Sequence, residues 1–177
     1  MRKTIYLFLI ASLFVFLNCI LFAFSEKKEK LSSYEARTKP SQIIAIDSSH
    51  CVDSLWHHLY NSRRLRVYDS CLSITGVIKL IRAEKDGDYH IQVKLDSSYS
   101  YMLNAKNMQR QAGFLVVEII CANQVTQKDA YMACFKYSNS IIVPKIGDYV
   151  KIWGPYITDL EHGWNEIHPV MEIQKLK

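Results

Sequence analysis

The chain has 177 residues, 22 of them Lys or Arg and 17 Asp or Glu, for a formal net charge of +5. That length allows one domain with at most a small appendage. The charge is too small to argue for nucleic-acid binding, whose footprint is a dense basic patch.

Arg2 and Lys3 precede an uncharged run from Ile5 to Phe24, and Ala23-Phe24-Ser25 offers small residues before a cut at Glu26. This is the pattern of a secretory signal peptide over residues 1–25. Two other readings stay open: a retained anchor, since such a run just spans a bilayer, and a lipoprotein leader using Cys19. The expected location is secreted or periplasmic, with a membrane-anchored chain facing the periplasm as the alternative. Contact with the membrane is expected only through residues 5–24, if they are not cleaved. Residues 1–25 hold two of the basic side chains and none of the acidic ones, so the remainder is about +3. Four cysteines follow: Cys51, Cys71, Cys121 and Cys134. An even number in an exported domain predicts two disulfides. Three pairings are open, and the local ones, Cys51–Cys71 and Cys121–Cys134, would each lower unfolded-state entropy by about 3 kcal/mol. No pair has the close spacing of a zinc knuckle.

Residues 26–45, with Glu26-Lys27-Lys28-Glu29-Lys30 and Ser32-Ser33, read as a flexible spacer. Residues 46–71 read as an N-terminal helical extension. Asp47-Ser48-Ser49 offers caps, and Val52, Leu55, Trp56 and Leu59 fall at helical spacing, which predicts a short helix over 50–60. His57 and His58 on it read as packing residues. Arg63, Arg64 and Arg66 beside Tyr68 read as a solvated turn into the sheet.

From Ser73 the pattern changes to strands. Ile74, Gly76, Ile78 and Leu80 alternate with a second partly apolar set, as in a long coiled strand shared by two faces, and Gly76 permits its bend. Lys85-Asp86-Gly87-Asp88 is a hairpin signal. In the return strand Tyr89, Ile91, Val93 and Leu95 point one way, while Asp88, His90, Gln92 and Lys94 point the other. Residues 96–113 read as a long polar connection. Phe114 to Cys121 is nearly all apolar and reads as a central strand, interrupted by Glu118, which needs the rim or a partner. Thr126 and Asp129 suggest the start of a helix running to Tyr137. Two strands are predicted to follow, the first closed by Gly154-Pro155.

Strand, hairpin, strand, strand, helix, strand, strand resembles the OB-fold. The resemblance rests on Thr75-Gly76-Val77, Asp86-Gly87-Asp88, the Val125–Tyr137 segment and Gly147 to Gly154. It implies a mainly β domain over residues 72–177: a small five-stranded barrel with a helix between strands 3 and 4, plus the short N-terminal helix. Asp86 to His90, Val117 to Cys121 and His162 to Pro169 also look like segments of an uncharacterised group of bacterial exported proteins.

The chemistry concentrates in Asp159 to Val170, which holds two histidines, three acids and a tryptophan. If the segment is extended, His162, Trp164, Glu166 and His168 share a side. Glu166 and His168 are then about 7 Å apart at Cα and can hold one cation, whereas His162 lies about 20 Å from His168. Further ligands must come from neighbouring strands: His90, Asp88 or Glu118. A His and carboxylate mixture suits Zn²⁺, or Mn²⁺ with more oxygen donors.

Two functions follow. One is an exported binding domain for an envelope glycan, a protein or a polyanion, with Tyr89, His90, Arg82 and Trp164 as ligand contacts. Tyr99, Tyr101, Trp153 and Tyr156 offer further rings, and Lys79, Lys94 and Lys151 further charge. Export argues against intracellular nucleic acid as the partner. The alternative is a metal-dependent hydrolase of the phosphodiesterase or nuclease kind. Glu166 and His168 would hold the metal, with His90 as base and Arg82 facing the phosphate.

Overall fold

The computed structural model describes residues 48–51 and 53–177. The signal-peptide, anchor and spacer readings of residues 1–45 fall outside them, as does Val52. Among the described residues no helix is long and apolar enough to cross a membrane.

The sheet has six strands: β1 (Leu65–Ala83), β2 (Tyr89–Leu95), β3 (Leu115–Ile119), β4 (Tyr149–Asp159), β5 (Asn165–Ile167) and β6 (Glu172–Lys175). Their order is β1-β2-β3-β5-β4-β6, and β1 also pairs with β4. All pairings are antiparallel except β3 with β5, where Val116 lies beside Glu166. A mixed, six-stranded sheet replaces the expected five-stranded OB-like barrel. The helix is also misplaced in that expectation. The one α-helix among the described residues, α1 (Ala105–Arg110), lies between β2 and β3.

The reasons are local. Within 125–137 the amides of Thr126 and Gln127 both donate to Lys85 O across the chain. Asp129, expected to cap a helix, instead accepts from Tyr60 OH. The bonds that remain, such as Ala130 N to Gln127 O, span three residues, so the segment forms turns. In the connection read as merely polar, Asn104 accepts from the amides of Lys106 and Asn107, and Asn107 reaches back to the Asn104 amide. This is a capping box built from two asparagines, and it starts α1. The N-terminal segment forms 3-10 turns at Ser48–His50 and Asp53–His58 in place of the expected α-helix. Leu55 and Leu59 there pack with Ile120 and Met171.

β1 is longer than its alternation suggested. Register breaks between Val67 and Asp69 and between Asp69 and Leu72 interrupt the period, so the part before Ser73 is invisible to a pattern of two. β4 likewise runs through Gly154-Pro155, because Pro155, which has no N–H to donate, stands opposite that irregular stretch of β1. At Gly76 β1 pairs with both Leu95 of β2 and Val150 of β4. A Cβ there would lie 2.5 Å from Lys94 O and 2.7 Å from a Val93 methyl, so only glycine fits.

The main core gathers Ile74, Ile78, Ile91, Val93, Leu115, Val117, Ile119, Val150, Ile152 and Ile167. β2 and β3 send alternate residues into it. The disulfides join Cys51 to Cys71 and Cys121 to Cys134, closing spans of 20 and 13 residues. Each stabilises the fold by about 3 kcal/mol through the unfolded chain.

Candidate metal centre and cleft

The face of β2, β3 and β5 turned away from the apolar core carries His90, Gln92, Glu118 and Glu166, joined by Asp88 just before β2 and His168 just after β5. This face is not solvated: His90 is 4 % exposed, Glu118 8 %, Glu166 0 % and His168 1 %. The pairing explains the convergence. His90 lies directly across from Glu118, and the parallel β3–β5 pair brings Glu166 to the same face. Beyond β5, His168 N donates to Pro155 O and Val170 N donates to Glu118 O. Gly154 lets this return segment pass, since a Cβ there would meet Pro169 O at 2.5 Å.

The side chains form one connected group. Glu118 Oε1 is 3.3 Å from His90 Nδ1. Its Oε2 is 2.9 Å from His168 Nδ1, which is also 3.1 Å from Glu166 Oε1. The other Glu166 oxygen accepts from Trp164 Nε1 at 3.0 Å. Asp88, Glu118 and His168 each present a ligand atom within 4.8 Å of the others. Asp88 is held in place by the Cys121 amide, which donates to its Oδ1 at 2.8 Å. Cys121 and Cys134 also lie near Asp88, but their sulfurs are bound to each other and offer no thiolate.

Burial and mutual charge set the protonation of this group. Burial pushes Asp88 up to about 7, helped by Asp86 and Glu118 and opposed by His168. Burial would also raise Glu118, but the charge and hydrogen bond of His168, followed by those of His90, outweigh it and hold its carboxyl far below the usual range. Burial and the charge of Glu118 raise Glu166. Burial alone would lower His168; Glu118 and Glu166 overcome it and hold the imidazole well above its ordinary value. Three buried carboxyls thus crowd one imidazole, and Asp88 and Glu166 are driven toward their protonated forms.

The donor set fits a divalent cation. Carboxylate oxygen and imidazole nitrogen are ligands of Zn²⁺ and Mn²⁺. His168 Nε2 is buried with no hydrogen-bond partner, an arrangement that costs about 1–3 kcal/mol unless something binds there. Its Nδ1 is held between Glu118 and Glu166. The buried cluster is therefore capable of coordinating a metal ion.

A cleft of about 830 Å³ opens over this group. Its wall includes Tyr60, Arg64, Arg82, His90, Glu118 and Trp164. Arg82 Nε faces Glu84 at 3.3 Å, and Arg64 Nε faces Asp159 at 3.4 Å.

Of the residues singled out in the sequence, Arg82, His90 and Trp164 reach the cleft, and Glu118, Glu166, His168 and His90 come together beneath or beside it. Tyr89 does not; it packs against the main core, as do Tyr99 and Tyr156. Trp153 stacks on His50, and Tyr101 is 73 % exposed. The proposed rings do not gather into a stacking platform. His162 stays outside the cluster, bonded to Asp159 at 2.7 Å and stacked on Trp164. His58 stacks on Tyr137 and contacts Ala133 O. Gln111 went unrecognised as a site residue, since it sits in a stretch that read as a polar connection, and Arg64 was named only within a basic patch read as a solvated turn. Comparison with protein-family models, curated proteins and solved structures finds no match, so function rests on these residues.

Proposed function

We propose that the chain is a divalent-metal-dependent hydrolase of phosphodiester substrates, with Asp88, Glu118 and His168 holding the ion. One observation carries this reading: Glu118 belongs both to the buried ligand cluster and to the wall of the cleft. An ion held there would acidify water and polarise a phosphoryl oxygen. The chain's own residues supply the rest. His90, at the cleft wall beside Glu118, is placed to hold or pass a proton. Arg82 can turn from its half-exposed pair with Glu84 to orient an anionic substrate. Glu166 orients His168 and takes the indole N–H of Trp164, so its role is support rather than the ligand role first assigned to it. The reading as a binding domain has less support, because its aromatic contacts are spread between core and surface.

We also place the work of the chain outside the cytoplasm, on a substrate of the envelope or the extracellular medium. Two disulfides and the N-terminal apolar run support this.

The test is hydrolysis of bis(p-nitrophenyl) phosphate by the full chain, chelated and then given Zn²⁺ or Mn²⁺. Activity should need the ion and fall at least about 100-fold in Glu118→Gln. An ion-loaded protein with no turnover of this ester or of a dinucleotide would contradict the hydrolase reading while leaving the metal centre standing.

A further inference from the structure

The tight turn between β4 and β5 carries a histidine that the ligand cluster leaves out. Asp159 N donates to Trp164 O at 3.1 Å and Gly163 N to Asp159 O at 2.7 Å. Gly163, at φ +85°, supplies the left-handed backbone this turn requires. Asn104, at the start of α1, donates from Nδ2 to Gly163 O at 3.0 Å. The turn is thus fixed from two sides, and it sets His162 in the wall of the cleft that Glu118 and Arg82 also line.

His162 Nδ1 lies 2.7 Å from Asp159 Oδ2. Asp159 is 1 % exposed. Its Oδ1 accepts from the amides of Glu161 and His162, and Arg64 Nε faces its Oδ2 at 3.4 Å. A carboxylate among donors accepts from the ring, so Nδ1 carries a hydrogen. Nε2 is the nitrogen left over. It has no hydrogen-bond partner among the described residues, and the side chain is 41 % exposed. The ring lies flat on Trp164, with centroids 4.4 Å apart and planes 5° from parallel. His90 differs: it spends Nδ1 on Glu118 and Nε2 on Gln111, both at 3.3 Å. An orienting carboxylate, a packed ring face and a free nitrogen at a cleft are the features of a general acid–base histidine.

We propose that His162 is the general acid of the hydrolysis, giving a proton from Nε2 to the leaving oxygen, with Asp159 as its positioning residue. This rests on the hydrolase reading above and adds a catalytic residue and a substrate class: diesters whose leaving group is an aliphatic alcohol. In phosphoryl transfer the attacking and leaving oxygens stand in line on opposite sides of phosphorus. The acid therefore belongs across the cleft from the attacking water, outside the ligand cluster. Trp164 provides that separation, since its N–H bonds Glu166 while its face carries His162. As the water oxygen bonds to phosphorus, the bond to the leaving oxygen breaks and that oxygen takes the Nε2 proton. The proton released by the water returns the ring to its charged form.

The experiment compares two esters on the metal-loaded full chain, as wild type, His162→Phe and Asp159→Asn. Bis(p-nitrophenyl) phosphate expels a phenolate that needs no proton, whereas a dinucleotide expels an alkoxide that does. His162→Phe keeps a ring on Trp164 but has no nitrogen. It should lose about 100–10,000-fold on the dinucleotide and less than about tenfold on the nitrophenyl ester. Asp159→Asn should show the same split, which a merely structural role would not produce. Solvent deuterium should slow the wild type more on the dinucleotide than on the nitrophenyl ester, a readout that needs no variant to fold. Equal losses on both esters, equal slowing in deuterium, or a wild type that cleaves only the nitrophenyl ester would overturn the inference and leave the hydrolase standing. A wild type that cleaves neither would overturn both.

Discussion

Asp88 shows how one side chain can control the whole site. Its carboxyl is buried beside Glu118 and Asp86, and these raise it to about 7. A metal ligand must be deprotonated, so below that pH a proton competes with the ion, and above it the carboxylate is free to bind. Metal affinity should therefore rise with pH, by about tenfold between pH 6 and pH 8 from Asp88 alone. Asp88→Asn should flatten that rise and weaken binding at pH 8, as read by calorimetry at several pH values. A wild-type affinity that does not change across this range would remove Asp88 from the ligand set. The sequence exposed these residues unevenly. Glu118 announced itself as a charge in an apolar strand, and the Glu166 and His168 spacing drew attention to the right segment. Gln111 gave no signal, because a glutamine in a polar stretch looks the same whether it faces water or a buried imidazole.

At the scale of elements, the site depends on β5, a strand of only three residues. It is held by α1 through a buried amide network: Asn107 Nδ2 donates to Asn165 O and Asn165 N donates to Asn107 Oδ1, both at 2.9 Å. Asn165 Nδ2 donates to Met102 O at 2.8 Å. The detour between β2 and β3 thus clamps β5 and supports His90 at once. The other critical point is Gly76, where β1 changes partner. Gly76→Ala should destabilise the protein by about 1–3 kcal/mol by forcing a methyl onto Lys94 O, and urea unfolding measures it. A loss near zero would mean that β1 and β2 can separate at that point without cost. Alternation made β2 fully legible, because its two faces differ in chemistry. It hid the start of β1 and the continuation of β4, where the register breaks, and it suggested a helix at 125–137 whose amides are taken by Lys85.

For the whole molecule, one face of the sheet closes the apolar core, and the other buries charge under an open cleft. Folding a chain around three carboxyls and a histidine is unfavourable unless the charges are compensated. In the free protein the compensation is protons, shared among Asp88, Glu166 and His168. In the loaded protein it is the cation. The two disulfides fix the two ends of this arrangement. Cys51–Cys71 ties the N-terminal turns to β1, and Cys121–Cys134 ties the exit of β3 to the turns that follow. Strand alternation named Asp88 and Glu118 as candidate partners of His168, but spacing along the chain could not show that they meet, because that depends on strand pairing. The most direct test is an anomalous difference map from crystals of the full chain soaked in Zn²⁺, collected on both sides of the zinc edge. The account predicts a peak among Asp88, Glu118 and His168, lost in His168→Ala. A map with no zinc there, from crystals that carry zinc elsewhere, would contradict it.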